Sequence, residues 1–129
     1  MILGKNWHET IVADGVDRSK PGIYRWQIEG AGVYIGKYSH IRRPTKEYRR
    51  NVIRILKKLR SHHAHGRFRC IHHALAKAVK DGRRITLTIL ANADKSDLNW
   101  VERNYIDQER PNLNGGASSP LVDDPTDII

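Results

Sequence analysis

Glu102 is the residue whose position in the chain most directly indicates chemistry. It lies four residues after Leu98 and four before Ile106, on the apolar face of a helix predicted over about residues 97–109. A carboxylate on such a face must be paired with a cation or bind a metal, because removing an isolated charge from water is costly. Helix geometry alone favours a structural ion pair with an arginine. The alternative is a Mg²⁺ site, since this cation keeps several waters and needs only one or two protein carboxylates.

Tyr24 and Tyr34 lie upstream on two predicted strands. Residues 22–28 are rich in β-branched and aromatic side chains, residues 29–32 supply a glycine-containing turn, and residues 33–38 follow as a second such stretch. This pattern predicts a β-hairpin. The register of the hairpin decides whether the two tyrosines meet, and the sequence does not fix it.

Pro44 predicts the start of the first helix, because its missing N–H costs nothing in a first turn. The apolar stripe of this helix recurs at helical spacing: Tyr48, Val52, Ile55, Leu56 and Leu59. A second helix is predicted near residues 69–80 with Gly82 as its stop signal, and residues 84–90 alternate as a strand does. The order is therefore β-β-α-α-β-α. We expect an α+β fold, with helices packed on a small three-stranded, mainly antiparallel sheet.

Residues 20–116 are expected to form one domain, between an extension over residues 1–19 and a loose acidic tail over residues 117–129. Ile11 and Val12 in the extension either add an edge strand or pack over the core. The start of the chain turns polar too soon for a signal peptide, and no apolar run approaches the ~18 residues of a membrane span. Cys70 is the only cysteine. A reducing, cytoplasmic setting without an internal disulfide is therefore expected.

Positive charge is concentrated in the middle of the chain. The formal net charge is +9, and residues 36–84 carry sixteen basic residues against two acidic ones. Such a stretch repels itself and a phosphate backbone relieves the repulsion, so a nucleic-acid partner is favoured over a merely solvated surface. Without neighbouring cysteines, the histidines in this stretch are interpreted as solvated residues near phosphates in preference to zinc ligands: His62, His63, His65, His72 and His73.

Two tripeptides on the predicted hairpin resemble the paired signature of the GIY-YIG nuclease family. Gly-Ile-Tyr ends at Tyr24 and, after nine intervening residues, Tyr-Ile-Gly begins at Tyr34. The segment from Glu102 resembles the family's metal-binding segment on a late helix, because an aromatic and an aliphatic residue follow. Asn114, preceded by leucine, resembles the family's final asparagine motif, with Asn112 as a substitute. The resemblance covers about residues 20–116 and implies a GIY-YIG-like fold.

The family's catalytic arginine has a displaced counterpart here. The family has an apolar residue, an arginine and a His or Tyr at the start of the next helix, for which Ile41, Arg43 and Tyr48 are the counterparts. Relative to Tyr34, the arginine usually falls where this chain has Pro44. Arg43 is expected at a non-helical capping position, from which it can still aim at the site. If neither it nor a replacement reaches the site, the resemblance implies a weakened or purely binding relative. The replacements are Arg42, Arg49 and Arg50.

The function implied by the resemblance is metal-dependent hydrolysis of phosphodiester bonds in DNA by a small endonuclease. Glu102 would hold one Mg²⁺ or Mn²⁺ ion, which polarises the scissile phosphate and stabilises the leaving oxygen. The guanidinium of Arg43 suits a phosphate that gains negative charge. Tyr24 would take the proton of the attacking water, which requires a pKa below the ~10 of a free tyrosine.

Other residues have supporting roles in this interpretation. Tyr34 and Tyr48 would orient the water and the phosphate, and Asn114 would brace the site by hydrogen bonding. The residues expected to bind the nucleic-acid backbone are Lys37, Arg42, Lys46, Arg49 and Arg50.

Each assignment has a structural alternative. The three tyrosines can be core aromatics, and Asn114 precedes two glycines and can be a turn residue. For the whole chain, the alternative is a non-catalytic or partner-dependent nucleic-acid-binding module that retains the nuclease fold. The sequence leaves open any preference for structured or branched DNA, the oligomeric state and the biological role.

Overall fold

The computed structural model describes residues 3–4, 6–58 and 68–114. Its strands are β1 (Glu9–Val12), β2 (Gly22–Ile28), β3 (Gly32–Tyr38) and β4 (Ile85–Asn92). Its helices are α1 (Tyr48–Leu56), α2 (Cys70–Asp81) and α3 (Leu98–Glu109), and a π-helical turn (Arg43–Glu47) precedes α1. These elements confirm the α+β class. The predictions that lie outside the described residues concern Leu59, His62, His63, His65 and the tail over residues 117–129.

One mixed sheet, with strand order β1-β4-β2-β3, organises the described residues. β2 runs antiparallel to β3, as the predicted hairpin requires, and also to β4, whereas β1 pairs in parallel with the other side of β4. The prediction of a three-stranded sheet is therefore wrong by one strand, and Ile11 and Val12 belong to an edge strand. The sequence left this strand as one of two alternatives, because its four residues are all exposed and show no alternation of buried and exposed side chains.

The hairpin of β2 and β3 brings the two tyrosines of the sequence motif together. Tyr24 lies opposite Gly36, and Trp26 lies opposite Tyr34. The ring centroids of Tyr24 and Tyr34 are consequently 6.3 Å apart. A Cβ atom added to Gly36 would lie only 2.5 Å from Cζ and Oη of Tyr24, so the missing side chain makes room for the tyrosine ring.

Alternation along the strands divides the core between the two faces of the sheet. Tyr24 and Trp26 belong to the cluster that includes the buried side chains of α1 and α2. Ile23 and Ile35 point the other way and pack with Leu98 of α3. β3 is an edge strand of the sheet, and side chains from both of its faces reach a cleft beside it.

The first helical segment begins earlier than the sequence predicts. The backbone N–H of Glu47 donates to the carbonyl of Arg42 at 2.9 Å, which closes a π-helical turn that already contains Arg43. The predicted non-helical capping position of Arg43 is therefore wrong. A turn can begin one residue before Pro44 because the proline still lies where no earlier carbonyl needs its N–H. The predicted stop of α2 is confirmed, since Gly82 has a left-handed φ of 68°.

Candidate active site

A cleft of about 320 Å³ beside β3 brings together residues from four parts of the chain. Of the residues that the sequence singles out for catalysis, Tyr24, Tyr34, Arg43 and Glu102 line it. Lys37, which the sequence assigns to backbone binding, lines it as well. The remaining lining residues are Tyr38, Ser39, Arg69 and Leu98.

Tyr24 and Tyr48 form a buried pair at the back of this cleft. Their hydroxyl oxygens are 2.6 Å apart, and both side chains are only 1% exposed. Burial raises the pKa of both phenols, which Arg69 opposes in each case. A low pKa for Tyr24 is therefore not a property of the protein alone and requires additional positive charge near its hydroxyl. Tyr48 packs in the core, as its place on the apolar stripe predicts, and contacts the site through its hydroxyl.

Arg69 is the cleft residue that sequence reasoning missed. Its Nη1 donates to the hydroxyl of Tyr34 and its Nη2 to the hydroxyl of Tyr48, each at 2.8 Å. Its guanidinium carbon also lies 5.6 Å from the centroid of each ring, within the range of cation–π attraction. The residue is the N-cap of α2, far along the chain from the hairpin. Within a stretch so rich in arginine, its position carries no signal that distinguishes it.

Glu102 approaches the cleft from α3 with its side chain 22% exposed. Desolvation raises the pKa of its carboxyl group, while Lys37, Arg69, Arg103 and Arg43 pull it down in that order. The ammonium of Lys37 is 3.8 Å from Oε1 of Glu102. This distance is long for an ion pair, and both side chains are partly exposed to solvent. The structure thus contains a structural partner for the carboxylate, but the carboxylate also faces open space in the cleft.

The donor set around Glu102 fits one hard cation with few protein ligands. The described residues contain no group of three or more His, Cys, Asp or Glu side chains that could together hold a metal ion. A cation at Glu102 would complete its coordination with water and phosphate oxygens, as Mg²⁺ commonly does. Lys37 stays close on the same side, where it also contacts the side-chain oxygen of Asn99.

Asn114 braces the outer edge of β3. Its Oδ1 accepts from the N–H of Ile35 and its Nδ2 donates to the carbonyl of Ile35, both at 2.7 Å. Asn112 makes the same kind of pair one step earlier, with the N–H of Val33 and the carbonyl of Ala31. Both amides thus pair with strand groups that would otherwise need water. Asn114 therefore braces β3 at Ile35, the residue that follows Tyr34, but it does not line the cleft.

The arginines expected near the site separate into three environments. Arg43 lines the cleft, but its side chain is 45% exposed and its Nη1 lies 3.9 Å from Glu47. Arg49 donates to the backbone carbonyl of Leu3 and so points toward the start of the chain. The backbone-binding candidates that are exposed on the first helical segment are Arg42, Lys46 and Arg50.

His72 corrects the interpretation of the histidines as solvated residues. It is 2% exposed, and its ring lies 4.9 Å from that of Tyr48. Its Nδ1 accepts from the backbone N–H of Arg69 at 3.1 Å, and its Nε2 is 3.2 Å from the side-chain nitrogen of Asn51. The sequence allows either His72 or His73 to face inward, and the spacing of these adjacent residues does not settle which of them does. Cys70 is buried.

Comparison of the chain with models of protein families, with curated proteins and with solved structures finds no match. Across residues 3–4, 6–58 and 68–114, no helix is long and apolar enough to span a membrane.

Proposed function

We propose that this chain is a divalent-metal-dependent endonuclease that hydrolyses phosphodiester bonds in DNA. The observation that carries the proposal is the meeting of Tyr24, Tyr34 and Glu102 at one cleft with basic side chains around them. Tyrosine hydroxyls, one carboxylate and several cations are a set suited to binding a phosphodiester and a hydrated metal ion. The resemblance of the two tripeptides and of the α3 segment to GIY-YIG nucleases supports the same reaction.

Glu102 is the proposed ligand of Mg²⁺ or Mn²⁺. When bound, such a cation polarises the scissile phosphate and stabilises charge on the leaving oxygen. The carboxylate suits this role because it is partly desolvated, which strengthens its attraction for a cation, yet it faces the cleft. Lys37 lies close to this carboxylate and would contact the anionic substrate beside the bound cation.

Tyr24 is the proposed acceptor of the proton from the attacking water. Burial raises the pKa of its phenol above the ordinary value although Arg69 and Arg43 oppose the shift, so this role requires the added positive charge of a bound metal ion. Its hydroxyl is held by Tyr48 at 2.6 Å, so its orientation is fixed before substrate binds. Tyr34 presents its hydroxyl to the same cleft and would orient the phosphate or the water.

The basic surface is proposed to hold the DNA backbone without reading its sequence. Lys37 lies at the cleft, and the exposed cations Arg42, Lys46 and Arg50 lie on the neighbouring helical segment. Contacts of this kind neutralise phosphates and release counterions, so the affinity should fall steeply as salt rises.

A pair of matched carboxylate variants tests the reaction. Glu102→Gln should lower cleavage of supercoiled plasmid in Mg²⁺ by more than about 100-fold, the loss typical of removing a group that stabilises transition-state charge. Glu109→Gln is the control, because Glu109 lies on the same helix but pairs with Arg25 at 3.0 Å and does not line the cleft. Cleavage that survives Glu102→Gln undiminished would exclude Glu102 as the metal ligand.

The second candidate function is a nucleic-acid-binding module without catalysis, acting alone or with a protein partner. It is favoured by the displaced Arg43, which is half-exposed and pairs with Glu47. This function predicts salt-sensitive DNA binding by wild type, and equal binding by Glu102→Gln, with no nicking of linear, supercoiled or branched DNA in Mg²⁺ or Mn²⁺.

A further inference from the structure

We propose that Arg69, at the N-terminus of α2, supplies the guanidinium that binds the substrate phosphate, in place of Arg43. The inference rests on the proposed function in naming a phosphodiester as the ligand. Its basis is the contacts of Arg69 in the cleft, which differ from those of the arginines on the first helical segment.

The guanidinium of Arg69 is fixed but not saturated. It has five N–H groups, and the two hydrogen bonds to Tyr34 and Tyr48 use two of them. Both partners are hydroxyls, so its positive charge is not neutralised by these contacts. Since Arg69 lines the cleft, the remaining donors are within reach of an anion that enters it.

Charge balance argues against a purely structural role. Arg69 is partly buried, and a buried cation ordinarily pairs with a carboxylate. Among the described residues, the ion pairs of arginine and lysine involve Arg25, Lys37, Arg43, Lys77, Arg83 and Arg84. No carboxylate of the described ranges lies in ion-pair contact with Arg69. A phosphate group would supply the missing negative charge and match the fork of the guanidinium.

Two hydrogen bonds of the buried His72 ring fix the backbone of Arg69. The backbone N–H of Arg69 donates to Nδ1 of His72, and Nε2 of that ring contacts the side chain of Asn51 on α1. His72 and Asn51 are 2% and 7% exposed. The start of α2 is therefore fixed against α1, and the aim of the guanidinium is set by rigid elements on both sides.

Arg43 lacks this preorganisation. Its side chain is 45% exposed and lies 3.9 Å from Glu47, with which it shares a helical turn. A solvated pair of this kind contributes little and leaves the side chain several conformations. The next residue, Pro44, is buried in the turn and offers no donor. Both arginines line the cleft, but Arg69 is the one that is preorganised to bind a phosphate.

A binding experiment tests the proposal without requiring activity. The ¹⁵N-labelled protein is titrated with dimethyl phosphate, a phosphodiester anion, and separately with chloride at matched ionic strength, while side-chain guanidinium signals are followed by NMR. We expect saturable shifts of the guanidinium signals of Arg69 and not of Arg43. In Arg69→Gln, the backbone amide signals of Tyr34 and Tyr48 should no longer respond to dimethyl phosphate. Absence of a saturable shift at Arg69, or an equal one at Arg43, overturns the proposal even if the chain cleaves DNA.

Cleavage kinetics provide the second readout. Arg69→Lys and Arg69→Gln should each reduce turnover by about 100- to 1,000-fold. Lysine keeps the charge but not the paired donors of the guanidinium, and glutamine loses the charge as well. Arg43→Gln should reduce it less than about 10-fold. The reverse order overturns the proposal. If wild type cleaves no DNA, the proposed function fails, and the dimethyl phosphate titration still decides whether Arg69 binds a phosphate.

Discussion

Gly36→Ala is the substitution whose outcome follows most directly from the geometry. The added Cβ would lie 2.5 Å from Cζ and Oη of Tyr24, where real carbon atoms do not approach. The Tyr24 ring cannot give way freely, because it is 1% exposed and its hydroxyl is 2.6 Å from that of Tyr48. The substitution should therefore displace Tyr24 or separate β2 from β3.

The cost can be worked from its parts. Overpacking a well-filled core costs about 1–3 kcal/mol. Loss of the Tyr24–Tyr48 hydrogen bond adds about 0.5–1.5 kcal/mol. Alanine gains about 0.5–1 kcal/mol over glycine within a strand. Together these contributions should lower the free energy of unfolding of Gly36→Ala by about 0.5–4 kcal/mol, and we expect cleavage to be lost before folding is.

Urea denaturation followed by circular dichroism measures the stability, and plasmid cleavage measures the activity. Gly4→Ala is the matched control, because a Cβ there meets no atom within 4 Å, and its stability should stay within about 0.5 kcal/mol of wild type. A Gly36→Ala protein with wild-type stability and cleavage would refute the contact between Tyr24 and Gly36 as the basis of the site.

Three further substitutions test the carboxylate, the buried hydroxyls and the β3 brace. Folding raises the pKa of Glu102, so ionisation of this carboxyl group disfavours the folded state. Glu102→Gln should therefore be more stable than wild type at pH 7. The denaturation curves of the two proteins should converge as the pH falls below the ordinary pKa range of a glutamate. Tyr48→Phe removes a buried hydroxyl with two partners and should lower the free energy of unfolding by about 1–3 kcal/mol, whereas Tyr105→Phe should have little effect in the same urea assay. Asn114→Ala and Asn112→Ala each remove two hydrogen bonds to the β3 edge and should cost similar stability, but plasmid assays should show the larger loss of cleavage for Asn114→Ala, whose partner adjoins Tyr34. Equal cleavage by the two asparagine variants would remove Asn114 from the support of the site.

Local patterns were sufficient to predict most elements of this fold. The alternating and glycine-punctuated stretches gave β2, β3 and β4, and the apolar spacing with Gly82 gave α2 nearly to its ends. The sequence left open whether Ile11 and Val12 form an edge strand, because the four exposed residues of β1 are held by backbone pairing with β4 and not by burial. The π-helical turn was hidden, since it differs from an α-helix only in hydrogen-bond spacing.

The candidate residues that the structure brings to one cleft are those marked by their own predicted elements. Tyr24, Tyr34 and Glu102 stand on predicted elements at recognisable spacings, and the cleft includes all three. Arg69 was missed because its role depends on how α2 is placed against the sheet. No local pattern separates it from other arginines in residues 36–84. The contact between His72 and Asn51 was missed for the same reason, as it joins two helices whose packing the sequence does not specify.

The charges lining the cleft predict that metal binding depends on a bound phosphodiester. One carboxylate, Glu102, faces three basic side chains, those of Lys37, Arg43 and Arg69. A divalent cation entering the free cleft meets net positive charge, whereas a bound phosphodiester supplies both negative charge and oxygen ligands. Metal and phosphate should therefore bind cooperatively, each raising the affinity for the other by the same factor.

Isothermal titration calorimetry with Ca²⁺, which binds oxygen ligands, measures this coupling in the presence and absence of dimethyl phosphate. We expect the phosphodiester to tighten metal binding by about 5- to 150-fold, the usual range of a coupling between two sites. The variant Lys37→Met removes one opposing cation and should tighten metal binding in the absence of phosphate, while Glu102→Gln should abolish it in both conditions. If Ca²⁺ binds the wild-type protein equally well with and without the phosphodiester, the charge of the cleft does not control metal occupancy. A metal site independent of substrate would then need ligands other than the single carboxylate of α3.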